Sequence, residues 1–99
     1  MEEVVIKENE IFIGQKPFMR YIRSAEILFR NKNLKTIVIR GRGMNVGKAV
    51  DVSEAVKNKF CADLKLSSSV SISTENYKKE DREFYVSVIE IELKKGKLN

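Results

Sequence analysis

One segment, TIVIRGRGMNVGKAVD at residues 36–51, constrains the fold of this chain more than any other. It begins with an apolar, β-branched run, continues through glycines at 41, 43 and 47, and ends in a helix-like pattern. A strand, a glycine loop and a helix in this order bring the N–H groups of a helix N-terminus beside the loop, where phosphate groups are often bound. The segment therefore predicts an α/β unit with an anion-binding corner.

The spacing of the glycines argues against a nucleotide site. A dinucleotide fingerprint reads G-x-G-x-x-G, whereas this loop reads GRGMNVG, one residue too long before its last glycine. A P-loop has four residues between its glycines and a Ser or Thr after the lysine, but Ala49 follows Lys48 here. We interpret the loop as a site for phosphates of another kind.

Positive charge is concentrated in one part of the chain. The net charge is +5 over 99 residues, but residues 11–50 hold nine Lys or Arg against the single acid Glu26. The other residues carry ten basic and thirteen acidic groups. Separation of this kind is typical of a surface that binds a polyanion, although ordinary solubilising charge is the alternative.

Several functional classes lack the residues that they need. The chain has no histidine and one cysteine, Cys61, which we expect to be a small buried residue. Ser–His catalysis, most catalytic zinc sites and an internal disulfide are therefore excluded, and the carboxylates are scattered. We predict no enzymatic activity, cofactor, metal site or small-molecule substrate.

Neither a membrane span nor a signal peptide is indicated. No apolar run approaches the roughly 20 residues that a span needs. The first residues, MEEVVIKENE, are acidic rather than basic and then apolar. We expect a cytoplasmic protein associated with the chromosome.

Apolar periodicity in the first third predicts a strand and then a helix. Alternation of Ile11 and Ile13 indicates a first strand near 10–13, with an ill-defined lead-in over 4–7. Pro17 suits the first position of a helix, where its missing N–H is not needed. One apolar stripe follows at helical spacing: Phe18, Tyr21, Ile22, Ala25, Leu28 and Phe29.

The middle of the chain repeats this order. The first helix ends at NKN, residues 31–33, and KTIVIR at 35–40 predicts a second strand. Asn45 is predicted to be the N-cap of a second helix. Its apolar arc, from Val46 to Phe60, is wider than one stripe. That width, together with the apolar residues in both phases of the last strand, favours a dimer over a well-filled monomer core.

The last third predicts a long hairpin. Residues 64–74 alternate as a half-buried third strand, and the charged run ENYKKEDR at 75–82 predicts the hairpin tip. In the fourth strand, EFYVSVIEIEL, the apolar residues change from even to odd positions between Val88 and Ile89, which requires a bulge or burial on both faces. We predict that the outer half of the hairpin leaves the sheet as an arm.

The whole chain, residues 1–99, is predicted to form one domain of order β-α-β-α-β-β. This is an α/β fold of the α+β two-layer type, with two helices on one face of a four-stranded mixed sheet. The third and fourth predicted strands form the extended hairpin arm.

Several parts of the sequence resemble, in order and spacing, the Alba family of small archaeal chromatin proteins. They are IGQKPFMRYI, IVIRGRG followed by GKAVD, VKNKF, and VSVIEIEL. The resemblance extends from about Val4 to Lys95. It implies a homodimer that coats double-stranded DNA, condenses it in cooperative assemblies and also binds RNA. An RNA-binding subunit of a ribonucleoprotein particle remains the close alternative, and a protein-only interaction module is a more distant one.

The resemblance also implies roles for single residues. Lys16 and Arg42 would contact phosphates, Lys16 would be a candidate for acetylation, and Phe60 would contact a neighbouring dimer, although Phe60 could equally be a core residue. This chain departs from the family pattern where Gln15 and Met44 replace basic residues.

The hairpin tip is a third departure, because residues 75–83 have a net charge of −1. We therefore hypothesise that affinity depends on the body more than on the arms. The residues predicted to bind nucleic acid are Gln15, Lys16, Arg20, Arg23, Arg40, Arg42, Gly43, Asn45, Lys48, Tyr77, Lys78, Lys79 and Arg82.

Overall fold

A computed structural model of the chain describes residues 3–96, which form a mixed sheet with both helices on one face. The strands are β1 (Val5–Lys7), β2 (Glu10–Phe12), β3 (Thr36–Arg42), β4 (Ser67–Lys79) and β5 (Arg82–Lys94). The helices are α1 (Phe18–Glu26) and α2 (Val46–Ala55), each extended by a π-helical turn, Ile27–Asn31 and Val56–Phe60. Short 3-10 turns lie at Gly43–Asn45 and Ala62–Leu64.

The strand order across the sheet is β1-β2-β3-β5-β4, which confirms the predicted two-layer class with one strand more than expected. The predicted lead-in over 4–7 is the extra strand, because Val5 pairs with Phe12 and Lys7 with Glu10. Glu8 closes this hairpin with a φ of +58°, a conformation usually taken by glycine or asparagine. The sequence therefore carries no turn signal at that residue.

Helix α1 crosses between the parallel strands β2 and β3, in which Phe12 lies opposite Arg40. The predicted stripe of α1 is buried except at Phe18, which is partly exposed. Pro17 is the N-cap rather than the first helical residue, a shift of one position. The core fills the space between the helices and the odd-numbered residues of the central strands: Tyr21, Ile22, Phe29, Ile37, Ile39, Val52, Val56, Ile91 and Leu93.

The predicted arm is present without a bulge. Strands β4 and β5 pair in regular register from Ser67–Lys94 to Lys79–Arg82. The neighbouring strand β3 accompanies β5 only as far as the pair Arg42–Val88. Residues 74–87, called the arm below, therefore extend beyond the sheet as a two-stranded hairpin. At the boundary, Val88 and Ile89 point to opposite faces and both are buried, so burial on two sides explains the change of apolar phase.

The prediction of a half-buried third strand is wrong. Strand β4 starts only at Ser67, and Val70 and Ile72 are 59% and 77% exposed. Helix α2 packs on β3 and β5, and β4 is the edge strand beyond them. Its alternating apolar residues, Val70 and Ile72, are therefore left largely uncovered by the rest of residues 3–96.

Candidate nucleic-acid interface

Two corners of the chain, residues 14–17 and 42–45, hold residues predicted to contact phosphate, and they lie at the same edge of the sheet. Since β2 and β3 are parallel, their carboxyl ends meet there, and the Ile13 N–H donates to the Arg40 carbonyl at 2.8 Å. The segment 14–17 follows β2, and the turn Gly43–Asn45 follows β3. Lys16 and Arg42 are therefore at one end of the molecule.

Lys48 joins the two corners. From the first turn of α2, its ammonium donates to the carbonyl oxygens of Gly14 and Lys16 at 2.9 and 2.6 Å. It also lies over the ring of Tyr21, 5.0 Å from the ring centroid. This residue was predicted to contact phosphate; in the structure its ammonium holds the segment 14–16 against α2 and places a positive charge between the corners.

The hydroxyl of Tyr21 shapes the first corner from inside. Its buried oxygen accepts the N–H groups of Gly14 and Lys16 at 2.8 and 3.1 Å. These two amides point into the protein. Contact with an anion at this corner thus depends on the side chains of Gln15, which is exposed, and Lys16, which is half-buried, and on the start of α1.

The glycines of the second corner have different purposes. Gly41 is buried, and a Cβ there would lie 2.7 Å from the Asn45 carbonyl oxygen and 2.8 Å from Ala49 Cβ. Its missing side chain therefore allows α2 to pack closely on β3. Gly43 is exposed and adopts a φ of +54°. Asn45 is the N-cap of α2, as predicted, but its side chain makes no cap bond.

Arg40 and Arg42 lie on the face of the sheet opposite the helices. Arg42 Nε is 3.0 Å from one carboxylate oxygen of Glu75, and Arg40 is 3.3 Å from the other and 3.7 Å from Glu10. The Arg40 side chain is 27% exposed and the Arg42 side chain 54%. We call these four residues the arginine–glutamate cluster. Arg42 is its accessible cation, and Glu75 ties the base of the arm to β3.

Arg20 and Arg23 occupy a different part of the surface. They lie in the first two turns of α1 and line a groove shared with Glu3, Val4 and Ile6. This groove is on the β1 side of the sheet, whereas Arg42 pairs with β5. Arg20 and Arg23 are therefore not part of the arginine–glutamate cluster.

Two of the three basic residues of the arm lie on one face. Direct cross-strand partners share a face, and faces alternate along each strand. Lys79 pairs with Arg82 and Tyr77 with Phe84 on the same face as Arg42, while Lys78 pairs with Glu83 on the other face. The net charge of residues 75–83 does not show this arrangement, although the alternation of faces along each strand could have predicted it.

An aromatic pair was missed by sequence reasoning, which proposed only Tyr77. The rings of Tyr77 and Phe84 stack with centroids 5.2 Å apart and an angle of 18° between their planes. We call Tyr77, Phe84, Lys79 and Arg82 the aromatic face of the arm. Tyr85, on the other face, is 66% exposed and donates to Glu83 at 2.8 Å.

Phe60 is the last residue of the π-helical turn that follows α2. It is half-buried against the core, and the ammonium of Lys59 lies 5.3 Å from its ring centroid. Arg30 donates to the Phe60 carbonyl and to both carboxylate oxygens of Asp63, a bond that lowers the pKa of Asp63. The neighbouring Cys61 is fully buried, as expected, and burial raises its pKa.

Within residues 3–96, no group of three His, Cys, Asp or Glu side chains is arranged to hold a metal ion. In the same range, no helix combines the length and the apolar character needed to cross a membrane.

Comparison with known proteins points to one family. The family model described as Alba matches residues 9–74. The DNA/RNA-binding protein Alba of Picrophilus torridus is 40% identical over 87 residues, covering 88% of this chain and 96% of that protein. The protein of the same description from Archaeoglobus fulgidus, Alba 1, is 38% identical over 88 residues, covering 89% and 97%.

Solved structures agree with the sequence comparison. Alba from Thermoplasma volcanium has a TM-score of 0.78 and 38% identity, covering 88% of this chain and all of that one. ALBA1 from Trypanosoma brucei shares the fold, with a TM-score of 0.66 at 18% identity, covering 92% and 72% of the two chains.

Proposed function

The chain belongs to the Alba family, and from this membership we propose that it is an architectural chromatin protein that binds double-stranded DNA through backbone phosphates, with little sequence preference. The observation that carries the proposal is the meeting of two corners at one edge of the sheet, joined by Lys48. Relatives described as DNA/RNA-binding proteins support a nucleic acid as the partner. The protein acts on the chromosome in the cytoplasm and catalyses no reaction.

The mechanism is electrostatic. Lys16 and Arg42 contact successive phosphates, and the N-terminus of α2, reached through the turn Gly43–Asn45, adds the positive end of its dipole. Contacts of this type fix the position of the protein without reading bases. Acetylation of Lys16 would remove one of these charges.

The protein acts as a homodimer. Two adjoining apolar grooves run between α2 and the hairpin; one includes Val50, Val70 and Ile91, and the other includes Val46 and Ile72. Exposed apolar surface of this extent beside an edge strand is typical of a protein interface, and we propose that a second copy covers it. Phe60, at the far end of α2, is the candidate contact between neighbouring dimers on DNA.

Salt dependence tests the proposal. Each phosphate contact contributes about −0.9 to the slope of log affinity against log salt on B-DNA. We expect Arg42→Ala or Lys16→Ala to flatten this slope by roughly 0.9 per chain, hence by about 1.8 for a bound dimer, and to weaken binding to unrelated duplexes equally. Titration of two duplexes of about 30 base pairs between roughly 50 and 200 mM salt measures both effects.

Lys32→Ala is the matched control, because this exposed lysine follows the π-helical turn at the opposite end of α1. Its slope should change less than that of Arg42→Ala. Loss of binding to only one of the two duplexes would contradict a backbone-contact mechanism.

RNA is the second candidate partner, either alone or within a ribonucleoprotein particle. The exposed aromatic pair on the arm favours it, since aromatic side chains are used more in recognition of unpaired RNA bases than of duplex DNA. Competition between duplex DNA and a structured RNA at the same salt concentration separates the two functions.

A further inference from the structure

The arm carries an aromatic stack whose two ends are open. Tyr77 and Phe84 stack on each other across the hairpin, and they are 45% and 36% exposed. Within residues 3–96 the sheet has two strands at their level, because β3 ends at Arg42, opposite Val88, which lies four residues after Phe84 along β5. In the part of the chain that the structure describes, no further strand flanks either ring, and the outer face of each can receive another planar group.

Cations lie on both sides of this stack and on the same face. Lys79 and Arg82 pair with each other two residues toward the tip. Arg42 lies toward the body, where a cleft is lined by Arg42, Glu75, Asn76 and Tyr77. A cation, an aromatic stack and two further cations thus follow one another along the arm. This order matches a strand of nucleic acid, in which charged phosphates border planar bases.

We propose that the Tyr77–Phe84 stack binds unpaired bases of single-stranded nucleic acid, with Lys79, Arg82 and Arg42 holding the adjoining phosphates. The inference rests on the proposed function, because it assumes that the chain binds nucleic acid, but it assigns a further site, which shares Arg42 with the corner, and a further class of ligand. Bases within a duplex already cover each other's faces, so only an unpaired base can extend the aromatic stack. The corners at the edge of the sheet then bind duplex backbone, and the arm selects loops, bulges and single strands.

The test compares substitutions on the two faces of the arm. Tyr77→Leu keeps an apolar partner for Phe84 but removes the ring, and Tyr77→Phe keeps the ring. Tyr85→Leu is the matched control, because Tyr85 is an exposed tyrosine on the opposite face of the same hairpin. The probes are oligo(U) and oligo(dT) of equal length, which separate RNA from DNA as the source of the bases, and a duplex of that length.

Stacking of one base on an aromatic side chain predicts that Tyr77→Leu weakens binding to the single strands roughly 5- to 150-fold. Binding of Tyr77→Phe and Tyr85→Leu should stay within about twofold of the unchanged protein, because both retain the ring at position 77. The salt slope of Tyr77→Leu should be unaltered, since no charge is lost, whereas Lys79→Ala should flatten the single-strand slope by about 0.7.

Three results would overturn the assignment. Unchanged binding of Tyr77→Leu to both single strands would exclude the stack as a binding site. If that variant also bound the duplex as before, the proposed function would stand without this site. Equal weakening on duplex and single strands would show that the stack does not select unpaired bases. A change of sedimentation coefficient in Tyr77→Leu, with an unchanged unfolding curve, would assign the rings to a contact between protein chains.

Discussion

At the scale of single residues, Glu75 has the most unexpected position. One carboxylate at the base of the arm lies within 3.3 Å of both arginines of β3, on a partly exposed surface. Glu75 thus occupies the place that a phosphate oxygen would take beside Arg42. Sequence reasoning counted Glu75 among the acids of the hairpin tip, and only the register between β4, β5 and β3 brings it to Arg42.

This contact predicts that Glu75→Gln strengthens binding to duplex DNA. The exposed ion pair with Arg42 competes with phosphate and is worth roughly 0.2–1 kcal/mol, so we expect an increase in affinity of up to about fivefold. Titration by fluorescence anisotropy at low salt measures it. Glu83→Gln removes an equal charge on the other face of the arm and should have the smaller effect. Weaker binding of Glu75→Gln would show that the carboxylate positions Arg42 instead of competing for it.

At the scale of elements, the sequence predicted what local pattern determines. Helical spacing identified α1 and the extent of α2, and the change of apolar phase at Val88 and Ile89 identified the arm. Strand β1 was not recognised because three residues and a turn at Glu8 carry little signal. The exposure of Val70 and Ile72, and the sorting of arm charges by face, depend on which strands are neighbours, which periodicity alone does not specify.

The packing of α2 on β3 gives a prediction at the same scale. Gly41→Ala should reduce the free energy of unfolding by about 1–3 kcal/mol, because the new Cβ would overlap the Asn45 carbonyl oxygen and Ala49. Gly47→Ala is the control, since a Cβ on that residue, within α2, meets nothing within 4 Å. It should stabilise the protein by up to about 1 kcal/mol. Urea unfolding followed by circular dichroism measures both; equal stability of the two variants would contradict the close approach.

At the scale of the whole molecule, polar and apolar surfaces are segregated. The basic corners lie at the carboxyl ends of β2 and β3, the aromatic face is on the arm, and the apolar grooves run along α2 and β4. Because these surfaces are separate, a second copy seated on the grooves would leave the corners and the aromatic face accessible. The hypothesis that the body contributes more affinity than the arms stays a prediction. The salt titrations of Arg42→Ala and Lys16→Ala measure the contribution of the body, and that of Lys79→Ala measures the contribution of the arm.

Dimerisation gives the last prediction. Ile72 is 77% exposed on β4 and lines the groove beside Val46, so Ile72→Lys would place a charge in the proposed interface. We expect this variant to sediment as a monomer at micromolar concentration, with its secondary structure intact, because Ile72 adds little to the core of its own chain.

Val5→Lys is the matched control: Val5 is also exposed, at 63%, but lies on β1 at the opposite edge of the sheet. It should leave the sedimentation of the protein unchanged. A monomer should also bind long duplexes more weakly and with a shallower salt slope, since each complex then presents one pair of corners instead of two. An Ile72→Lys protein that still sediments as a dimer would assign the interface to another surface.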